Sequence, residues 1–402
     1  MISVAEAQQI VLREARPRGL TRVNLGSAVL GLVLGEDIQS DIDSPPFDKA
    51  MVDGFALRSA DVSHPRVELI LIEEILAGHV ARHAVGAGQC SRIMTGAPIP
   101  AGADAVIMHE RTELVGERVR MLEGPKCGQN ILRQGSEMRA GQKVLAAGSL
   151  LRAQEFGVLA SVGRMSFQAI RRPTVAILST GDEIVEPGVR PGPGQIRNSN
   201  ASLLEGLAAS AGAEPNILGV AKDTPESLTK LIREGLRADV LLLSGGVSAG
   251  KLDLVPGALV EQGVKPQFHK VSLKPGKPIW FGTKDDKLVF GLPGNPVGSF
   301  VGFELFVRPA LRVLRGLAPN VPLPITAQLS GSLRHKSDRP TYHPAKVTST
   351  ANSLVATPVK WQGSPDLLAT TASNGWLVLP AGELDLAAGA EVSVLLPELD
   401  LN

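Results

Sequence analysis

Residues 288–304 read Leu288-Val289-Phe290-Gly291-Leu292-Pro293-Gly294-Asn295-Pro296-Val297-Gly298-Ser299-Phe300-Val301-Gly302-Phe303-Glu304. An apolar, strand-like run enters the Gly291–Pro296 segment and leaves into a second apolar segment from Val297. Two prolines and two glycines within those six residues stiffen a turn at the C-terminal end of a strand. In open α/β sheets that edge is where ligands bind. Taken alone, the same residues also fit a plain strand-to-helix connection.

The neighbouring loops weigh against that plain reading. Thr174–Leu178 is a short β-rich run followed by Ser179-Thr180-Gly181-Asp182-Glu183. Asp239–Leu243 is another, followed by Ser244-Gly245-Gly246-Val247-Ser248-Ala249-Gly250-Lys251-Leu252-Asp253. The region from Phe268 to Phe281 contains Lys274-Pro275-Gly276-Lys277-Pro278. Each strand candidate carries polar or Gly-rich residues at one end, and parallel strands gather such ends on one sheet edge. Gly-rich turns offer backbone N–H groups to anions, and lysines add positive charge. Carboxylates beside them suit Mg²⁺, which is commonly held by one or two carboxylates plus substrate oxygens. These residues predict a site for a phosphorylated, anionic ligand and a divalent cation.

Most of the candidates have a plainer reading as well. Asp253 after its Gly-rich turn also reads as a helix cap. Asp223, in Ala221-Lys222-Asp223-Thr224-Pro225, or Thr224 beside it, reads as the cap of a helix from Pro225. Lys274 and Lys277 read as solvated lysines on a surface turn. Asp53-Gly54 is a common turn pair.

Taken together and in order, Ser179-Thr180-Gly181-Asp182-Glu183, the Ser244–Asp253 loop, Lys274–Pro278 and Gly291–Pro296 resemble the molybdopterin molybdenumtransferase family of molybdenum-cofactor biosynthesis. Phe47-Asp48-Lys49-Ala50-Met51-Val52-Asp53-Gly54-Phe55-Ala56 and the stretch Arg92–Val106, which includes Thr95-Gly96-Ala97-Pro98, are similar to two further motifs of that family. The resemblance spans roughly residues 1–400. It implies insertion of molybdenum from molybdate into adenylylated molybdopterin, with Mg²⁺-dependent cleavage of the diphosphate link and release of AMP. It implies catalytic roles for Asp53, Thr95, Glu183 and Asp253, with Glu183, Asp223 and Asp253 around the metal. Ligand binding falls to Ser179, Thr180, Gly245, Gly246 and Ser248, to Lys274 and Lys277, to Pro293, Asn295 and Pro296, and to Ser364. It also implies a homodimer with shared active sites, Asp53 and Thr95 reaching the cleft of the other subunit, and a contact with the molybdopterin adenylyltransferase. Five positions depart from the family pattern: Val52, Leu132, Glu137, Thr224 and Lys251. A hydroxyl at 224 brings no charge to a cation, which places more weight on Asp223, Asp253 and Glu183. A molybdopterin adenylyltransferase, a noncatalytic pterin-binding scaffold and a tungsten-inserting relative are the alternatives.

Texture along the chain predicts an α/β multidomain protein. Residues 1–40 and 141–171 read as a helical support, with an N-terminal helix begun by Ser3-Val4-Ala5-Glu6 and ending near Pro17, and a second helix over Gln154–Val162. Residues 41–140 read as a β-rich insertion. Residues 172–318 alternate strands with helices near Ser202–Ala211 and Pro225–Leu236, a doubly wound molybdopterin-binding domain. Residues 319–402, with Trp376–Leu379 and Glu391–Leu396 as strands, read as a small β-barrel. Only 3% of residues are aromatic and the net charge is +1, which gives no basis for nucleic-acid binding. Cys90 and Cys127 form no CxxC pair and read as small core residues in a reducing compartment. His79 and His83 are spaced i, i+4, but flanking Gly78 and Gly86 argue against a metal-binding helix, so both read as surface residues. No run approaches the length of a membrane span and residues 1–20 lack a secretory layout, so a cytoplasmic location is expected.

Overall fold

The computed structural model describes residues 1–247, 254–318, 321 and 323–396. The chain divides into two compact units. One comprises Met1–Arg22, Gly31–Gly35 and Gln168–Asn402, and the other Val23–Leu30 and Glu36–Phe167.

The first unit is built on a six-stranded sheet. Its elements in chain order are β1 (Thr174–Thr180), α1 (Ser199–Ser210), β2 (Glu214–Ala221), α2 (Pro225–Gly235), β3 (Val240–Ser244), α3 (Val255–Glu261), β4 (Lys265–His269), β5 (Trp280–Lys284), β6 (Lys287–Leu292) and α4 (Pro296–Gly302). The strand order is β2-β1-β3-β6-β5-β4. β2, β1, β3 and β6 run parallel, with Val175 opposite Val240 and Leu242 opposite Phe290. Strands covered on both faces must be aliphatic throughout, and β3 is buried along its whole length. Alternation then divides its side chains. Val240 and Leu242 pack with Ala201, Leu204 and Ala208 of α1, while Leu241 and Leu243 pack with Leu228 and Ile232 of α2 and with Leu259 of α3. Helices therefore cover both faces, and the sheet is doubly wound. The chain leaves β1 for β2 on one side and returns to β3 on the other, so the topological switch lies between β1 and β3. β5 is antiparallel to β6, so the Lys274–Pro278 segment, which enters β5, reaches the same edge as the C-terminal ends of the parallel strands.

The N-terminal helix Val4–Glu14 starts with Ser3 Oγ accepting the Glu6 N–H at 3.1 Å and buries Ala7 and Val11 in the core that contains Phe306 and Leu311. It ends at Glu14, three residues short of Pro17. The segments read as a helical support also hold short strands: Val33–Leu34 pairs with the strand Ser166–Ile170 through Leu34 and Ala169. Further along, Ile325–Leu329, Leu354–Pro358, Thr341–Ser349, Gly375–Leu379 and Glu391–Leu395 close a five-stranded barrel around Ala327, Ala345, Leu377 and Val394.

The second unit is β-rich. Its six-stranded sheet runs Ala105–Met108, Gly54–Leu57, Gln89–Ile93, Glu68–Ile75, Arg118–Met121, Thr112–Val115. Phe55, Leu57, Leu69, Ile107 and Val119 form one core cluster with Cys90. Burial pushes the Cys90 thiol up to about 12. Cys127, expected in the core, is exposed in the loop after Met121; the glycine- and proline-bearing turn around it brings no apolar neighbours for a buried strand. His79 and His83 are both exposed. The helix expected over Gln154–Val162 spans Ala153–Ser161.

Candidate active site

The strand ends of the first unit open onto a cleft of about 1120 Å³ lined by, among others, Thr180, Glu183, Gly245, Lys274, Asn295 and Ser364. Each wall follows from local chemistry. β1 ends in Ser179 and Thr180, both buried. Ser179 Oγ donates to Asn198 Oδ1 at 2.9 Å, and the same oxygen accepts the Ala201 N–H as the cap of α1. Gly245 and Gly246 follow β3 with φ of 90° and 63°, a region that favours glycine. A Cβ on Gly245 would lie 2.8 Å from Thr180 O, and one on Gly246 2.7 Å from Thr180 Oγ1, so the two loops touch.

The carboxylates divide by role. Glu183 lines the cleft and its carboxylate folds back over Gly181, whose missing Cβ would sit 2.5 Å from Oε2. Asp182 Oδ1 accepts the Asp223 N–H at 3.3 Å and ties the β1 loop to the β2 loop. Thr224 rather than Asp223 caps α2, its side chain accepting the Ser227 N–H, and Asp223 lines the cleft. Ser248, Lys251 and Asp253 lie outside the described residues.

On the opposite wall, Pro293, Asn295 and Pro296 face the cleft. Asn295 Nδ2 donates to Ser364 Oγ at 2.7 Å, and the Val297 N–H donates to Ser364 O, which joins the proline loop to the segment before the helix Leu367–Thr371. Lys274 is anchored by its backbone, the N–H to Pro340 O and the carbonyl to the Tyr342 N–H. Lys277 is exposed on the same turn but does not line the cleft. Its ammonium lies near Asp338, whose carboxyl is lowered mainly by its hydrogen bond from Arg339, with Lys277 a smaller contributor.

Glu183 and Asp223 supply hard oxygen donors on adjacent loops, a donor set that suits Mg²⁺, which takes few protein carboxylates and completes its shell with water and phosphate oxygens. Among the described residues no group of three or more His, Cys, Asp or Glu side chains could hold a metal.

Asp53 and Thr95 lie in the second unit. Asp53 precedes the strand Gly54–Leu57 and Thr95 follows its antiparallel neighbour Gln89–Ile93, so the pairing of Gly54 with Ile93 brings them together. Thr95 donates its N–H and its hydroxyl to Asp53 Oδ1, each at 2.7 Å. The backbone N–H, then the hydroxyl, lower the Asp53 carboxyl; the nearby His109 and Arg92 add to this.

The residue-by-residue reading missed Arg197, Asn198, Asn200, Arg339 and Trp361, all beside the cleft or its supports. Asn198 had a signal, as an Asn just before a helix. Arg339 had none, because the barrel brings it back to the α/β sheet edge from 65 residues beyond Lys274.

Comparison with known proteins agrees along the whole chain. Residues 2–163 match the MoeA N-terminal region (domain I and II), 176–313 the probable molybdopterin binding domain, and 326–396 the MoeA C-terminal region (domain IV). A molybdopterin molybdenumtransferase of Staphylococcus epidermidis is 34% identical over 99% of this chain and 96% of its own length. One from Staphylococcus aureus is 33% identical with the same coverage. A crystal structure of a molybdopterin biosynthesis MoeA protein from Pyrococcus horikoshii superposes with a TM-score of 0.83 at 32% identity, over 99% of each chain. A molybdenum cofactor biosynthesis protein from Pyrococcus furiosus shares the fold at 20% identity and a TM-score of 0.59. With identity at this level from end to end, the chain belongs to the molybdopterin molybdenumtransferase family.

Proposed function

We propose that this chain is an enzyme that inserts molybdenum into molybdopterin. Its substrates in this reading are molybdate and adenylylated molybdopterin, and cleavage of the diphosphate link releases AMP. The observation that carries it is the cleft itself: the Thr180, Gly245-Gly246, Lys274 and Pro293–Pro296 loops converge at the switch point of a doubly wound sheet.

The chain's own groups have distinct tasks. Lys274, with Arg339 and Arg197 on the same cleft, offsets the negative charge of phosphates and molybdate. Lys277, exposed on the same turn but outside the cleft lining, would add only longer-range, salt-screened positive charge. Gly245 and Gly246 let the ligand approach the backbone, and Ser179 and Thr180 form the β1 side of the cleft. Ser248, outside the described residues, is given a ligand-binding role by the family resemblance alone. The Asn295–Ser364 bond holds the proline loop rigid while the two sulfur atoms of the pterin receive the metal. Glu183 and Asp223, with Asp253, would hold Mg²⁺, which when bound supplies positive charge to the departing phosphate.

We assign Asp53 and Thr95 to the site of a second copy of the chain, within a homodimer. Two donors on one oxygen keep Asp53 ionised at neutral pH, so it serves there as an acceptor and not as an acid. The molybdopterin adenylyltransferase is the fitting donor of substrate and the cytoplasm the fitting location. No helix among the described residues is long and apolar enough to cross a membrane. Expression of the chain in cells lacking the transferase tests the reading. Restored molybdoenzyme activity is expected, and a stably expressed chain that restores none contradicts it.

A further inference from the structure

Asn200 stands one residue inside α1, past the Asn198 cap, where capping has no further use for an amide. It is 8% exposed. Its Nδ2 donates to Ser244 Oγ and to Gly294 O, each at 2.7 Å. Ser244 is the last residue of β3, directly before Gly245-Gly246, and Gly294 lies within Pro293-Gly294-Asn295-Pro296. Both N–H donors of one buried amide therefore tie together two loops whose bonded residues, Ser244 and Gly294, are 50 residues apart. The acceptors fix the orientation of the amide, since its oxygen cannot face the Gly294 carbonyl.

We propose that Asn200 is a positioning residue of this active site: it locks the Ser244–Gly246 turn to the Pro293–Pro296 loop and so sets the cleft in the shape that accepts the ligand. The proposal rests on the transferase reading for what the ligand is, but not for the lock. Gly245 and Gly246 have no side chains to hold their own position, and backbone conformations at positive φ are left open to many alternatives unless neighbours fix them. Just past the strand pairing of Ser244 with Leu292, the Gly245 N–H donates to Leu292 O at 3.2 Å. The amide supplies what that single bond does not, a link to the far side of the proline turn. Among the described residues, Asn200 Oδ1 and Thr180 Oγ1, both buried on this cleft, have no hydrogen-bond partner.

Three variants separate positioning from general structure. Asn200→Ala removes both bonds. Asn200→Asp keeps the size and can accept from the Ser244 hydroxyl, but sets a carboxylate against Gly294 O. Glu205→Ala, exposed on the same helix and outside the cleft lining, is the control and should leave both readouts unchanged. Amide hydrogen exchange on the whole protein is the first readout. In Asn200→Ala and Asn200→Asp, exchange at the Gly245, Gly294 and Asn295 amides should rise about tenfold, with the barrel amides unchanged. The second readout is calorimetric binding of AMP. The dissociation constant should rise about tenfold at unchanged stoichiometry, since damage to the fold lowers the number of sites instead. Unchanged exchange in Asn200→Ala, or exchange and binding in Asn200→Asp equal to the original protein, overturns the lock. Faster exchange with unchanged AMP affinity overturns its role in the site. Failure of the original protein to bind AMP contradicts the transferase reading, while the exchange data still decide the lock.

Discussion

Asp239, just before β3, shows how one buried charge stabilises the sheet at the end away from the cleft. Its side chain is 1% exposed and meets both Arg171 terminal nitrogens, at 2.6 and 2.8 Å, and the Thr174 N–H and hydroxyl. Burial alone pushes this carboxyl up; Arg171 and Thr174 outweigh it and hold it at about 2. A carboxyl depressed in the folded state stabilises above its unfolded value and loses that contribution as pH falls toward the folded one. Folding should therefore lose on the order of 2 kcal/mol between about pH 4 and pH 2 from this group alone. Asp239→Ala should cost about 3 kcal/mol at neutral pH, since the Thr174 N–H and the buried Arg18 guanidinium, whose Nε lies 3.6 Å from Asp239 Oδ1, lose their partner. Urea unfolding of both proteins across that pH range checks it, and an equally steep acid loss in the variant contradicts the assignment. The lysines make a second residue-scale case. Lys274→Ala should weaken AMP binding about tenfold at low salt and Lys277→Ala less, with both differences shrinking as salt rises. Equal, salt-independent affinities would show solvated lysines only. Residue identities such as Glu183, Asp223 and Lys274 were legible because each follows or flanks a recognisable strand end. Asn200 and Arg339 were not, since nothing local distinguishes a helix-start Asn or a barrel Arg from any solvated polar side chain.

At the scale of elements, periodicity and turn chemistry carried most of the fold. β1, β3 and β6 are continuous aliphatic runs because both faces are covered, and such runs are easy to read. The run before Phe281 reads with the parallel strands, but β5 is antiparallel to β6 because only Asp285 and Asp286 join them, a hairpin far too short for a parallel crossover. Yet that reversal is what delivers Lys274 to the cleft edge. In the β-rich unit, Asp53-Gly54 looked like a turn, whereas Gly54 begins a strand squeezed against its neighbour: a Cβ there would lie 1.9 Å from Ile107 O. Backbone cannot yield as a side chain does, so Gly54→Ala should destabilise this unit by about 2 kcal/mol or more and release the adjacent Asp53–Thr95 pair. Thermal unfolding of the variant, with amide exchange at Thr95, measures both. An unchanged midpoint contradicts the packing.

For the whole molecule, the sequence resemblance placed catalytic residues in segments that fold as two separate compact units. Asp53 and Thr95 form an exposed, preorganised acceptor in one unit, while Glu183, Asp223 and Lys274 line the cleft of the other. The proposed homodimer with shared sites would account for that division. A mixed dimer of Asp53→Ala with Asp253→Ala should recover one intact site although each parent dimer is inactive; a folded, verified mixed dimer without recovery places Asp53 outside the partner's site. The transferase assignment itself is tested most directly by AMP release. Purified protein is incubated with adenylylated molybdopterin and Mg²⁺, with and without molybdate, and both AMP and the cofactor that reactivates a molybdoenzyme apoprotein are measured. Molybdate-dependent release of one AMP per cofactor formed is the predicted result, and bound pterin with no AMP release, or ATP-dependent adenylylation of molybdopterin in its place, would contradict it.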